Sequence, residues 1–372
     1  YQKKYMVKNK YRMLLVSPNL GDYMTDKLIL SFSTNKNVSA LTVAGINRHN
    51  KTYTDNRIVL AKAASTNFIK RILKYPIIFW KIKKLLKTSD VIASWTCDTA
   101  FLCVLASKIL CSKKKKFIYI YSDVHPLCTK KNSFLSRLFR KIECFTARHA
   151  DIVSFTSPLF KTEYFGRIAG AKITNSIIIE NKIPNQSVER IIRNLNIKNR
   201  DFSEPRIGYF GLLSYKDAFD FIEMAAKSDI KTYIRGRISP SIAKDIPEVI
   251  GFGGEYKYPE DLPEMFEKIN MSYIIHNFEP DTNYQWQMTN RFYDALMTQT
   301  PMVVQKGTAN EKFIIDNDIG ISIDIYSPEE SIAKLKSITK SDIIRWTENF
   351  FKLSKNTWML TDEYDKLFDR IS

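Results

Sequence analysis

Two runs of residues combine groups able to do chemistry with the local structure that would hold them. The first is Thr289-Asn290-Arg291-Phe292-Tyr293-Asp294-Ala295-Leu296-Met297, which leads into Thr300-Pro301-Met302-Val303-Val304. Thr289 or Asn290 can cap a helix there, leaving backbone N–H groups exposed at the positive end of the helix dipole, with Asp294 about one turn along. A diphosphate fits such an end, and a ribose can reach that carboxylate. The second is Phe117–Pro126, an apolar run ending Ser122-Asp123-Val124-His125-Pro126. It reads as a buried strand that delivers an acid and an imidazole at its carboxyl end, where catalytic residues of open α/β sheets gather. Each run also has a plainer reading: an amphipathic helix with Asp294 solvated, and a hydrogen-bonded structural histidine.

The elements that would position these groups alternate between strand and helix. Apolar runs of four to eight residues predict strands at Met13–Ser17, Ala40–Ala44, Val91–Trp95, Phe117–Tyr121, Ile152–Thr156 and Ser176–Glu180. The pattern resumes with Arg206–Phe210, Lys231–Ile234, Val249–Phe252, Met271–Ile275, Met302–Gln305 and Gly320–Ile323. Helical periodicity between them includes Phe68–Leu86, Asp217–Lys227, Pro259–Glu267, Asn290–Met297 and Ala309–Asn317. The fold class expected is α/β with two Rossmann-like domains. A polar stretch from Asn181 to Pro205 is the best linker, which predicts domains at 1–200 and 201–340. Helices in 341–372, with Ile343–Arg370 the longest stretch, are expected to cross back to the first domain.

The 372 residues exceed what one core usually organises, and 44% hydrophobic with 26% charged residues excludes a mainly disordered or fibrous chain. Only 12 glycines occur, with no G-x-G-x-x-G or P-loop string, which argues against dinucleotide oxidoreductases and P-loop enzymes. The five cysteines are odd in number and form no C-x-x-C pair, so neither a disulfide framework nor a zinc site is indicated, and a reducing, cytoplasmic setting is expected. Val91–Cys111 is interrupted by Asp98 and Lys108 and reads as strand then helix rather than a membrane span, and no signal-peptide pattern precedes the first strand. Charge separates the halves. Residues 1–200 hold 37 Lys and Arg against 11 Asp and Glu, a formal +26, while 201–372 hold 20 against 28, a formal −8, within a total of +18. One basic domain facing an anionic surface fits this better than uniform nucleic-acid binding. Lys113-Lys114-Lys115-Lys116 lacks the interleaved aromatics of a nucleic-acid site, so no nucleic-acid partner is expected.

The run Asn290–Asp294 with Pro301-Met302-Val303-Val304 resembles the nucleotide-sugar signature of GT-B glycosyltransferases, especially glycosyltransferase family 4 of the bacterial surface-polysaccharide type. The family's Glu-x7-Glu pair is not intact: Trp286 stands eight residues before Asp294, with Gln285 and Gln287 as the nearest polar substitutes. Arg206-Ile207-Gly208-Tyr209-Phe210-Gly211 followed by Lys216-Asp217 is similar to the family's first donor-domain strand and loop. That likeness implies Lys216 as a diphosphate cation, while Leu212 stands at the arginine position and Arg235 or Arg237 would compensate, a guanidinium being suited to a bidentate phosphate grip. Val249–Tyr256 with Pro259-Glu260-Asp261-Leu262 resembles the strand and glycine loop beside the nucleotide base, implying Gly254 and Tyr256 as base neighbours. Gly21, ending the first strand, stands where the family brings backbone amides to the donor phosphate.

The resemblance implies a glycosyltransferase moving a sugar from a nucleotide diphosphate sugar, bound in an interdomain cleft, to a lipid-linked or growing oligosaccharide acceptor. It implies retention of configuration and no cofactor or metal, because the helix dipole and basic side chains offset the leaving diphosphate. Thr289, Asn290 and Asp294 would bind donor, Lys216 would stabilise the leaving group, His125 would orient the sugar, and Asp123 would hold the acceptor or, in an inverting enzyme, act as base. Alternatives are a non-catalytic GT-B partner protein and a nucleotide-sugar epimerase. The segment Phe68–Lys87 sets Phe68, Tyr75, Phe79 and Trp80 among lysines, so an anionic membrane surface is an expected partner of a peripheral protein.

Overall fold

The computed structural model describes residues 10–48, 52–53, 55–62, 72–110, 113–129, 133–197, 200–239, 242 and 246–372. The chain forms two compact units, one from residues up to Glu180 together with Asp362–Ser372, the other Asn181–Thr361.

The first unit holds a parallel sheet of β1 (Tyr11–Ser17), β2 (Val38–Asn47), β3 (Ile58–Lys62), β4 (Val91–Trp95), β5 (Lys116–Tyr121), β6 (Ile152–Phe155) and β7 (Ser176–Ile178), in the order β3-β2-β1-β4-β5-β6-β7. β4 and β6 are buried throughout and β5 nearly so, as continuous apolar runs covered on both faces must be. β3 was not legible from periodicity. It is an edge strand with a short apolar run, and Ile58 faces solvent. The helix Tyr75–Leu85 covers part of the expected Phe68–Leu86 segment; residues 63–71, including Phe68, lie outside the described residues.

The second unit repeats the plan with β8 (Arg206–Phe210), β9 (Lys231–Arg235), β10 (Gly251–Phe252), β11 (Met271–Ile274), β12 (Met302–Gln305) and β13 (Gly320–Ile323), again all parallel, in the order β10-β9-β8-β11-β12-β13. β10 keeps only two of the residues expected at Val249–Phe252, both exposed at the sheet edge. In each unit the chain leaves the middle of the sheet to one side and then returns to build the other. That puts a switch point between β1 and β4, and another between β8 and β11.

Two boundaries differ from the sequence reading. Asn181–Arg200 belongs to the second unit rather than to a linker, because Asn185–Asn194 is a helix whose Val188 and Ile191 are buried against the Leu262–Glu267 helix. At the other end, the helix Lys340–Asn349 stays in the second unit with Ile343 and Trp346 in its core. The expected long helix is interrupted where Trp358–Leu360 exchanges backbone hydrogen bonds with Ile183. Only the final helix, Glu363–Ile371, joins the first unit, setting Phe368 against Tyr11 and Phe32, and Tyr364 against Phe32.

Candidate functional site

In the second unit, three neighbouring strands turn at glycine where they end. Gly211 after β8, Gly236 after β9 and Gly254 after β10 all have positive φ, and their backbones continue the sheet ladder: Gly211 N–H donates to Arg235 O (3.0 Å) and Gly236 N–H to Gly254 O (2.8 Å). Gly236 is required twice over. Its φ is +134°, and a Cβ there would stand 2.0 Å from Gly211 O.

Across the switch point, the helix Asn290–Met297 begins after Thr289, whose Oγ1 is enclosed without a hydrogen-bond partner among the described residues. Asn290 is exposed, and Asp294 is buried at 6% exposure, accepting from Tyr258 Oη at 3.2 Å. The solvated reading of Asp294 therefore fails. Arg291 ties the start of the helix to the sheet, donating to Ile275 O (2.9 Å) with its guanidinium 3.9 Å from the Tyr209 ring centroid. Tyr256 sits among these groups. Burial first and then the Asp294 charge push its phenol upward, against Arg291 and Arg235. The helix is anchored at its far end by Arg200, only 4% exposed, which donates to Phe266 O, Thr298 O and Gln299 O; burial brings its pKa down to about 10.

The expected cations are all engaged with carboxylates. Lys216 opens the helix Lys216–Lys227 and meets Asp220 at 2.5 Å on the surface, a partner that raises its pKa. Arg235 is largely enclosed and donates to Glu255 O (2.9 Å) and Asp261 Oδ2 (3.3 Å), holding the Gly253–Asp261 loop against β9. Arg237 is half exposed, 3.5 Å from Glu255. Leu212 is exposed, and Trp286 is buried. Gln285 and Gln287 spend their side-chain oxygens on Asp281 N and Asn283 Nδ2.

Sequence reading missed His276, two residues past the end of β11. It is fully buried, its Nδ1 lies 2.7 Å from Asn277 O, and burial brings its pKa down to about 4. The strand-end rule that singled out His125 applies equally to it and was the available signal.

The first unit is built differently. Gly21 N–H donates to Asn19 Oδ1 (3.3 Å) in a loop held to β2 by Leu20 N–H to Ile46 O (2.9 Å). That approach needs Gly45, where a Cβ would stand 2.4 Å from Ser17 O. Across the switch point, Thr96 ends β4 at φ +61°, ψ 144°, a region that β-branched residues avoid, with its hydroxyl 2.7 Å from Asp98 Oδ1. Asp123 is exposed and accepts from Ser122 Oγ at 3.2 Å. His125 accepts Leu127 N–H at Nδ1 (3.2 Å) and stacks on Phe139 (5.4 Å, 17°), so its neutral ring carries its proton on Nε2. Behind this end, Glu143 is buried among Tyr164, Tyr121 and Cys128, and desolvation raises its pKa to about 7. The described residues hold no cluster of three or more His, Cys, Asp or Glu able to take a metal ion.

No protein-family model matches the chain. Over 253 residues it is 24% identical to the succinoglycan biosynthesis protein ExoL of Rhizobium meliloti; the match covers 65% of this chain and 62% of that protein, so it spans less than two thirds of the relative. Among solved structures, Anabaena Alr3699/HepE in complex with UDP superposes with a TM-score of 0.65 at 12% identity, over 96% of this chain and 98% of that one. Sucrose-phosphate synthase from Thermosynechococcus elongatus gives 0.65 at 12% identity over 96% and 99%. The α,α-trehalose-phosphate synthase (UDP-forming) of Burkholderia xenovorans gives 0.64 at 9% over 97% and 100%. The fold is GT-B.

On this GT-B scaffold, Lys216, Arg235, Arg237, Gly254, Tyr256, Thr289, Asn290 and Asp294 lie at or beyond the carboxyl ends of strands in the second unit, and Gly21, Asp123 and His125 do so in the first. Within the second unit, Asp294, Arg291 and Arg235 lie close enough to Tyr256 to act on the charge of its phenol. Arg235 braces a loop through ion pairing rather than presenting an unpaired guanidinium.

Proposed function

We propose that the protein is a glycosyltransferase that takes a sugar from a nucleotide diphosphate sugar and adds it to a lipid-linked or growing glycan in surface-polysaccharide synthesis. The observation that carries this reading is the second unit's switch point. Glycine turns after β8, β9 and β10 stand on one side, and on the other a helix start leads to a buried Asp294. Such an end suits a diphosphate through backbone N–H groups and a ribose through a carboxylate. The likeness to a succinoglycan biosynthesis protein and to structures holding UDP supports both the donor and the pathway class. Lys216 and Arg237 would offset the charge of the leaving diphosphate, which suits a metal-independent reaction, and retention of configuration is proposed from the family resemblance alone. His125 Nε2–H orients the sugar or acceptor, and Asp123 holds the acceptor. Calorimetry with UDP and GDP, with and without Mg²⁺, tests the donor site. Micromolar binding of one nucleotide, unchanged by Mg²⁺, is expected; nothing tighter than millimolar for either overturns it.

We further propose that the first unit docks on an anionic bilayer at the cytoplasmic side. The helices Tyr75–Leu85, Cys97–Val104 and Phe134–His149 form one layer, joined by Tyr75 Oη to Asp98 Oδ2 (2.8 Å) and by the Phe101–Phe145 ring contact. Its outer helices and their approach expose Leu73 (72%), Ile77, Trp80 (65%), Phe134 (72%), Leu135 and Leu138 beside Lys83, Lys84, Arg137 and Lys141. Rings and cations together favour headgroup depth. No helix among the described residues is long and apolar enough to cross a membrane. Liposome sedimentation tests the surface: salt-sensitive pelleting with anionic but not neutral vesicles is expected, and equal pelleting with both, or none, overturns it.

A further inference from the structure

The second unit's switch point contains a buried acceptor that has no hydrogen-bond partner among the described residues. His276 stands just past β11, directly across from the end of β8. From there the chain runs to β9 on one side and to β12 on the other, the place where open α/β sheets take ligands. A carbonyl oxygen only accepts, so Nδ1, 2.7 Å from Asn277 O, carries the ring proton. The ring is neutral near neutral pH because burial lowers its pKa to about 4. Nε2 is therefore a bare lone pair. It is fully enclosed and has no hydrogen-bond partner among the described residues, a state that is costly unless something completes it.

The ring cannot easily turn to find another partner. Tyr215 and Tyr284 flank it with ring centroids at 5.9 and 6.1 Å. Its loop is tied to the neighbouring helix Lys216–Lys227 through Asn277 Oδ1, which accepts from Ala218 N, and through Tyr326 Oη, which accepts from Phe278 N and donates to Asp217. A second enclosed, unpartnered oxygen, Thr289 Oγ1, stands two residues before Arg291, whose guanidinium bonds Ile275 next to His276. The position where the family resemblance expects a first signature acid is held by the buried Trp286, which has no carboxylate to accept a hydroxyl proton. A neutral lone pair complements a hydroxyl, whereas a phosphate oxygen has no proton to offer it.

We propose that His276 Nε2 accepts a hydrogen bond from a hydroxyl of the nucleotide sugar, on the ribose or on the transferred sugar, and makes that hydroxyl a specificity requirement of the donor site. This rests on the donor reading above. It assigns the hydroxyl contact to a strand-end imidazole where the sequence pattern would look for a carboxylate.

The test uses the full chain with UDP and UDP-glucose as probes in calorimetry, comparing wild type, His276→Asn and His276→Gln. Asn can keep the Nδ1-type bond to Asn277 O while removing the Nε2 acceptor; Gln places an amide oxygen near the Nε2 position. About a tenfold loss of affinity in His276→Asn, roughly 1.4 kcal/mol, with partial recovery in His276→Gln, is expected. Loss for both probes assigns the ribose hydroxyl, and loss for UDP-glucose alone assigns the sugar hydroxyl. In parallel, ¹⁵N-histidine NMR of the wild type should show the unprotonated Nε2 resonance shifting on ligand addition, which requires no variant to fold. Unchanged affinity in His276→Asn with an unmoved Nε2 signal, while wild type binds a probe, overturns this inference and leaves the donor site standing. Binding of neither probe by wild type overturns both.

Discussion

The two switch points of the molecule use the same topology and opposite chemistry. In the second unit three neighbouring strands turn at glycine, which lets their backbones pack closely with no side chain between them, and the strand-end histidine has its Nε2 as an acceptor. In the first unit β4 is followed by Thr96 at positive φ, with its hydroxyl bonded to Asp98, and the strand-end histidine uses Nδ1 to accept from Leu127, which puts the proton of a neutral ring on Nε2. Amides at a helix start recognise any phosphate, so the start of the Asn290–Met297 helix suits the part that all nucleotide donors share. Side chains recognise particular hydroxyls, which is why the first unit's end is the one proposed to hold the acceptor. The charge split follows the same line, with the basic half carrying the side-chain-built end.

The comparison breaks most directly at Gly236. Alanine there meets both an unfavourable φ and the Gly211 carbonyl, and a loss of roughly 3–4 kcal/mol in denaturant unfolding is expected, together with loss of UDP binding. A stable Gly236→Ala variant that still binds UDP would show that the stacked glycine turns are not needed.

Opposite pH slopes distinguish the units next. Glu143 in the first unit is raised to about 7 from 4.5, so the folded state holds its proton more tightly, and that unit loses stability as pH rises between these values. His276 in the second is lowered to about 4 from 6.5, so the unfolded state binds more protons over that range, and that unit loses stability as pH falls through it. Each effect is at most about 3 kcal/mol. Hydrogen exchange from pH 4.5 to 6.5 should therefore show β5 and β6 losing protection while β11 and β12 gain it, and Glu143→Gln should flatten the first trend alone. Parallel trends in both units would refute the contrast.

Lys216 tests whether the donor end needs more than backbone. Lys216→Ala should reduce turnover about tenfold, or roughly 1.4 kcal/mol in the transition state, with Tm nearly unchanged because its pair with Asp220 is on the surface. Wild-type turnover would leave the amides and dipole at the start of the Asn290–Met297 helix as the source of charge stabilisation. The smallest effect is expected at Thr96, where Thr96→Gly relieves the backbone while giving up the bond to Asp98, for a net gain of about 1 kcal/mol. A drop in Tm would mean that the hydroxyl network outweighs the strain.

Continuous apolar runs such as Val91–Trp95 and Met302–Gln305 determined their strands by sequence alone, because a strand buried on both faces has no polar alternation to obscure it. The helix Asn290–Met297 was equally legible from its periodicity, and it starts after Thr289 as expected although the Thr289 hydroxyl makes no cap hydrogen bond. Tertiary structure alone decided the rest. The edge strand β3 gains its hydrogen bonds from β2, and pairing with β9 keeps only Gly251–Phe252 of the strand expected at Val249–Phe252. Asn185–Asn194 joins the second unit only because the Leu262–Glu267 helix buries its apolar side. Which arginine is committed to an ion pair, which strand-end histidine offers a proton and which a lone pair, and how far Glu143 is removed from water all depend on groups brought together by folding. Charge and hydrogen-bonding capacity are written in the residue, but the partner that uses them is supplied by the fold.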